Sequence, residues 1–468
     1  MSDRGDWQQL AKQILLRASI LNDQEWLQLA DRLEADLHAN TGTIYDTYQY
    51  FDESGTSPSM RELLVWTHCT ILSCPPDRLQ DYKDLDEGPG LAALARQAVR
   101  ADFCYDGDRQ DVDKRLLWLG GCLRALDQLL HSEQYHEPEG AGPDIADLWA
   151  LPEYGCAVVP VDRSQRAQLN KPFIRRGSRY HAIIPLRIGN YHIRFVDHPH
   201  LKRGFRLSAR RPKRYGAAIF PGLELNHRLE QERQFLITGL HGASCDTPVE
   251  EHLAQAVEEG CDIVVWPELT LPDEEADQIR DRLRHRPLSQ SHKPQILVLG
   301  SWHRQAERAE HYHNRSIVLA GSGKVLAHYD KRMKFRLKQK SEKEILPDLV
   351  EAIVPGRELP IFVTDDRLVS IAICLDFCED CSPPPYHVLD VDLALVPSMG
   401  LRNTVEQHAV HADTLHTRYS AETFVVQQSP LLKGECLPAG EAAGYSFLSP
   451  ITNPDSYPQN VSFRVFER

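Results

Sequence analysis

The sequence predicts an α/β layered domain, preceded by an all-α N-terminal domain and a short basic β-rich segment. Three observations carry this. Apolar residues recur at three- and four-residue spacing up to about residue 150. Short strands in a strongly basic stretch follow, from 151 to about 230. Strands, helices and hairpins then alternate regularly over 231–468.

In the first segment, WQQLAKQILL, EWLQLADRLEADL, MRELLVWTHCTIL, LAALARQAV and KRLLWLGGCLRALDQLL each have the spacing of an amphipathic helix. DESGTSPS, CPPDR, DEGPG and HEPEGAGPD separate them, each rich in turn formers. No fixed-period repeat accompanies the pattern, and no chemistry is recognisable in it. A regulatory or oligomerisation role, or docking of a protein partner, is the expectation for residues 1–150.

In the second segment, CAVVPV, HAIIPLRI and YHIRFV read as strands, and RRGSR and HPHLKRG as turns. From Arg163 to Arg214 there are fifteen Lys and Arg against one acid, Asp197. The stretch is therefore +14 (15 − 1), and with a whole-chain charge of −14 the remainder carries −28. Such a run is expected to dock onto acidic parts of the same chain or onto a protein partner. Nucleic acid is not favoured, because no recognition motif accompanies the charge and the rest of the surface would repel a polyanion.

The bulk numbers fit a soluble cytoplasmic protein. Of 468 residues, 42% are hydrophobic and 26% charged. MSDRGDWQQL is charged where a secretory signal would be apolar, and no run approaches the ~18 apolar residues of a membrane span. Eleven scattered cysteines suit reduced thiols better than a disulfide framework.

In the third segment, FLITGL, CDIVVWPEL, QILVLGSW, PIFVTDD, RLVSIAIC, DLALVPS and TFVVQQS read as strands. TPVEEHLAQAVEEG, DEEADQIRDRL and VEQHAVHADTLHTRYSAE read as helices, and HNRSIVLAGSGKVLAHYDK as a hairpin around Gly321 and Gly323. Three strand ends carry reactive groups. Glu268 follows an apolar strand and Pro267, Lys331 ends the hairpin, and Cys374 ends SIAIC. A free thiol is only a few per cent ionised at neutral pH, so a cysteine nucleophile needs a carboxylate to take its proton and a cation to stabilise charge on the attacked group.

These residues, in this order and setting, resemble the nitrilase (carbon–nitrogen hydrolase) superfamily over about residues 230–468. DIVVWPEL is similar to the family's apolar strand ending in Pro-Glu, and GSGKVLAHYDK to its hairpin leading to Tyr-x-Lys. VPG followed by LVSIAICLD is similar to its Pro-Gly, strand and Ile-Cys-x-Asp, and GYSFLSP to its Gly-x-Ser segment. The resemblance implies a four-layer α-β-β-α sandwich, homo-oligomerisation and no cofactor. It also implies Glu268 as general base, Lys331 as electrostatic stabiliser, Cys374 as nucleophile and the Leu375 backbone N–H as an oxyanion donor. The family's further lysine-supporting acid would be Glu342 or Glu344. Cys374-Leu375-Asp376 looks more like the amidase branches than the Cys-Trp-Glu of true nitrilases, so a small amide or carbamoyl compound is favoured over a nitrile. The chain departs from the family at Met333, Lys334 and Phe335, where His-Leu-Phe is common, and lacks the Gly-Tyr that often follows Pro-Glu-Leu.

Other readings exist. A nitrilase-fold module could serve assembly or effector roles, including in a bacterial antiviral system, with little amidase activity. Cys374, Cys378 and Cys381 have the spacing of a radical SAM iron–sulfur motif, and with His387 could hold zinc. His408 and His411 share a helix face. A metal reading would leave Glu268 and Lys331 unexplained, so no metal is expected.

Overall fold

The computed structural model of the protein describes residues 150–468, apart from 152–155, 164–179, 200, 202–211, 231–232, 242–247, 286–293, 307–310, 338–348, 365, 379–385, 387–388 and 432–435. The helices expected before residue 150 lie outside the described residues. The described chain falls into two units, divided between Ile184 and Pro185.

In the first unit, β1 (Ala150–Leu151), β2 (Cys156–Pro160) and β3 (His181–Pro185) form a small sheet in that order. Cys156, Ala157, Val158 and Val159 are all buried.

The second unit is built on two large sheets. One contains β6 (Arg214–Ala218), β9 (Ile263–Val265), β10 (Ile296–Val298), β11 (Trp302–Gln305), β12 (Tyr312–Leu319), β13 (Val325–Asp330) and β22 (Phe463–Glu467). The other runs β21-β20-β19-β18-β17-β16-β5-β4. Its strands are β4 (Arg187–Ile188), β5 (Tyr191–Asp197), β16 (Glu358–Val363), β17 (Leu368–Ile371), β18 (Leu393–Met399), β19 (Glu422–Gln428), β20 (Gly444–Leu448) and β21 (Ile451–Tyr457). β6, β9 and β10 are parallel neighbours, as are β17, β18 and β19. Strands of this kind are covered on both faces, which is why IVV, ILV and LVSI are unbroken apolar or small runs.

Helices supply the crossovers that parallel strands require. α1 (Pro248–Glu258) precedes β9, α2 (Asp273–His285) joins β9 to β10, and α4 (Arg402–Tyr419) joins β18 to β19. The short α3 (Leu375–Cys378) follows β17. Alternate residues of the first sheet face opposite ways. Ala218, Val264, Leu297 and Leu319 pack against Leu253 and Ala256 of α1 and Ile279 and Leu283 of α2. On the other face, Tyr215 meets Phe424 of β19 with ring centroids 5.4 Å apart. α4 packs on β19, β20 and β21. Two sheets thus face each other with helices outside.

A third, smaller sheet, β14-β15-β8-β7, contains β7 (Glu224–Glu230), β8 (Gln234–His241), β14 (Arg336–Leu337) and β15 (Leu349–Glu351). Its Leu225, Phe235, Ile237 and Leu349 form an apolar cluster with Leu269 and Trp302.

Among the described cations of the basic stretch, Lys213 lies 3.0 Å from Asp366 and Arg194 3.7 Å from Glu358. Arg214 donates to the Glu259 carbonyl at 2.7 Å. No helix among the described residues is long and apolar enough to cross a membrane.

Candidate active site

Glu268, Lys331 and Cys374 come from three different strand ends and meet in one buried cluster. Their exposures are 2%, 1% and 2%.

Glu268 stands three residues past β9, on a turn whose next residue, Leu269, has φ 54°. The turn is held by Thr270 Oγ1 donating to Pro267 O at 2.8 Å and by Glu268 N–H donating to Ser398 O at 3.3 Å. Gly300 lets a neighbouring chain approach it. The strand expected over QILVLGSW is broken here into β10 and β11, and Gly300 has φ 47°. A Cβ at Gly300 would lie 2.1 Å from the Pro267 carbonyl oxygen.

Lys331 follows β13 directly. Its N–H donates to Asn314 O at 2.8 Å, and Gly356 N–H donates back to Lys331 O at 3.0 Å. Gly356, of the Pro-Gly pair, packs so closely that a Cβ would fall 2.2 Å from the Asp330 carbonyl.

Cys374 lies just past β17, which ends at Ile371 rather than at the cysteine. Pairing with β18 nonetheless persists, since Ala372 and Cys374 N–H donate to Leu395 O and Pro397 O at 3.0 and 2.9 Å. Cys374 itself has φ 48°, an uncommon conformation for a residue with a Cβ and one concentrated at functional sites. Leu375 begins α3, so its N–H is in the first turn and has no intrahelical acceptor.

Asp376 ties the thiol segment to the lysine segment. Its carboxylate accepts from Arg332 N–H at 3.0 Å, Met333 N–H at 2.8 Å and the Tyr329 hydroxyl at 2.7 Å. Burial pushes its carboxyl up, and Arg332 beside it pulls the other way.

A second carboxylate serves Lys331, and it is Glu351 at the end of β15. Lys331 Nζ lies 2.7 Å from Glu268 Oε1 and 2.9 Å from Glu351 Oε2. Glu342 and Glu344 lie outside the described residues. Glu351 also accepts from His303 Nε2, Asn314 Nδ2 and Phe335 N–H, each at 2.9 Å. Glu268 accepts from Asn314 Nδ2 at 2.9 Å and Met399 N–H at 3.1 Å besides the lysine, and the Cys374 thiol donates to the carbonyl of the same Met399 at 3.5 Å.

The two acids are driven apart. Burial raises Glu268, and Glu351 adds to the rise against the pull of Lys331. Glu351 is equally buried, yet Lys331 and the His303 hydrogen bond hold it well below the usual carboxylate range. Burial alone would lower Lys331, but Glu268 and Glu351 carry it well above its ordinary value. Burial, then the nearby Glu268, pushes the Cys374 thiol well up.

Sequence reasoning missed Glu351, Asn314 and His303. Asn314 stands in the quoted HNRSIVL, and Glu351 is the lone acid of LVEAIVPG just before Pro-Gly. Nothing local marks His303.

The remaining candidates lie elsewhere. Cys378 ends α3 and is half-buried. Cys381 and His387 lie outside the described residues. No group of three His, Cys, Asp or Glu among the described residues is disposed to hold a metal. His408 is buried, 2.9 Å from Ser398 Oγ, and burial lowers its pKa to about 3. It and His411 pack against the Phe377 ring, with centroids 5.9 and 6.3 Å away.

Residues 248–377 match the carbon-nitrogen hydrolase family model. Among solved structures, the chain is similar to the NitN amidase from Nesterenkonia sp. AN1, at 18% identity over 55% of this chain and 92% of that one, with a TM-score of 0.37. Another structure of an amidase from Nesterenkonia sp. gives 19% identity, 55% and 90% coverage and a TM-score of 0.37. A variant of the AN1 amidase in complex with butyramide gives 18%, 55%, 91% and 0.36. No curated protein matches. Residues 248–377, which contain Glu268, Lys331 and Cys374, thus carry a carbon–nitrogen hydrolase domain.

Proposed function

We propose that this carbon–nitrogen hydrolase acts on a small amide or carbamoyl compound, with Cys374 as nucleophile, Glu268 as general base and Lys331 as electrostatic stabiliser. One observation carries the reading. The Glu351 carboxylate is filled by four donors, whereas Glu268 has three and stands close enough to the thiol to act on its charge. Two carboxylates whose environments push their pKa values apart take different tasks. Glu351 stays ionised as the counter-ion of Lys331, and Glu268, whose carboxyl burial raises, is the acid that gains and loses the proton.

The raised thiol fits activation by a base at the moment of attack rather than a resting thiolate. The Cys374 proton passes to Glu268 as Sγ bonds to the carbonyl carbon. Lys331 has three N–H groups, two of them on Glu268 and Glu351, which leaves one for the oxygen that becomes negative. The Leu375 N–H is the second donor, and one such donor is typically worth about 3 kcal/mol in the barrier. The C–N bond breaks as Glu268 returns its proton to the departing nitrogen, leaving a thioester. Glu268 then takes a proton from water, whose oxygen attacks the thioester carbon. The carboxylic acid leaves and the thiol is restored.

Intact-mass spectrometry during turnover of small amides tests this directly. The expected result is an acyl adduct on the Cys374 peptide, absent from C374A. Turnover without any covalent adduct, even in rapidly quenched samples, would count against the thioester.

A further inference from the structure

We propose that His303 is a positioning residue of the catalytic cluster, acting through Glu351 on Lys331. The inference rests on the roles given above for Glu268, Lys331 and Cys374.

The surroundings of His303 fix the tautomer of its imidazole. His303 is buried in β11, and its two ring nitrogens meet different kinds of partner. Ile237 N–H donates to Nδ1 at 2.8 Å, which requires Nδ1 to be bare. The proton therefore sits on Nε2, which donates to Glu351 Oε1 at 2.9 Å. Glu351 passes this order on to Lys331 through its other oxygen, and Lys331 in turn meets Glu268. Every side chain on this route is buried.

The β7–β8 hairpin anchors the route. β8 runs parallel to β15, with Glu351 opposite Phe235, and Ala352 N–H donates to Phe235 O at 2.9 Å. Two residues further along β8, Ile237 holds the imidazole. One strand thus fixes both the histidine and the acid it serves. The groups around the Glu351 carboxylate are His303, Asn314, Lys331 and the Phe335 N–H, with Glu268 sharing Asn314 and Lys331. Among the described residues, His303 is the one side chain that binds Glu351 without also touching Glu268. Without it, one Glu351 oxygen would be short of a donor and would compete with Glu268 for the shared amide and ammonium.

Two conservative variants separate the two bonds. In His303→Asn, the side-chain oxygen can replace Nδ1 as acceptor for Ile237, but the donor to Glu351 is gone. In His303→Gln, the side-chain amide nitrogen can replace Nε2 as donor, and the Ile237 anchor is lost instead. Three quantities would be measured on the full-length protein: amide hydrolysis, thermal unfolding, and iodoacetamide alkylation of Cys374 at pH 7 read by peptide mass spectrometry. E268Q serves as the reference for a thiol deprived of its base. We expect H303A and H303N to lose about tenfold or more in kcat with KM changed much less, and to slow Cys374 alkylation as E268Q does. H303N should unfold near the wild-type temperature. H303Q should recover most of the rate lost by H303A while unfolding earlier. If rate merely tracks unfolding temperature across the three, or if H303N alkylates like wild type while E268Q is slow, the inference is overturned. If E268Q itself alkylates like wild type, the base role of Glu268 fails and takes this inference with it.

Discussion

Glu268 and Glu351 are held by the same two donors, Asn314 Nδ2 and Lys331 Nζ, all at 2.7–2.9 Å, yet their carboxyls are shifted in opposite directions. The difference lies in the other partners. Glu351 adds a histidine N–H and a backbone N–H, while Glu268 adds one backbone N–H only and stands beside the Cys374 thiol.

This asymmetry predicts different stabilities for two isosteric variants. The depressed Glu351 contributes stability that is present above its unfolded pKa of about 4.3 and is lost as pH falls through its folded value. The raised Glu268 has the opposite sign: its ionised form costs stability at neutral pH, and that cost vanishes as pH falls. E351Q should therefore unfold earlier at pH 7, by roughly 3–5 kcal/mol if the pair with Lys331 is effectively broken. E268Q should be no less stable than wild type, while losing about 10²–10⁴ in rate. Chemical denaturation of both at pH 7 checks the pair, and equal losses would contradict it.

The same shift sets the acid limb of activity. A base whose pKa is raised by burial is protonated at a pH where an ordinary carboxylate is still ionised. The limb of kcat/KM should thus lie above the usual carboxylate range, and a rate that stays flat down to about pH 4.3 would contradict it.

Gly300 sets the approach of β10 and β11 to the Glu268 turn. G300A would place a methyl against the Pro267 carbonyl at a left-handed φ, and backbone cannot swing aside as a flexible side chain can. A stability loss of about 2–4 kcal/mol is expected, with hydrolysis reduced in whatever protein folds. Full rate in G300A would show that the turn tolerates displacement.

Asp376 joins the segments that carry Cys374 and Lys331. D376A leaves two backbone N–H groups and the buried Arg332 without their carboxylate, at a cost of about 3 kcal/mol or more. Thermal unfolding and kcat should fall together, since Lys331 directly precedes Arg332.

The legible parts of this protein were those whose chemistry sits at the end of a patterned strand. Glu268 and Cys374 each follow an apolar run, Lys331 ends a glycine hairpin, and the order of the three could be read along the chain. Glu351 escaped because its strand is only three residues long and follows a polar stretch, so no period announces it. His303 escaped because its role depends on Ile237 and Glu351, neither near it in sequence. The hairpin strand β7, ELNHRLE, is polar enough along most of its length to hide as a loop. β5 and β6 read as local strands or not at all, because their partners, β16 on one side and β9 and β22 on the other, lie far along the chain.

Ammonia release from a panel of small amides, wild type beside C374A, reports on the thiol itself. The wild type should release ammonia from at least one member of the panel, and essentially all of that release should be lost in a C374A protein that unfolds at the wild-type temperature. Release that survives in C374A at the wild-type rate would contradict the nucleophile role of Cys374.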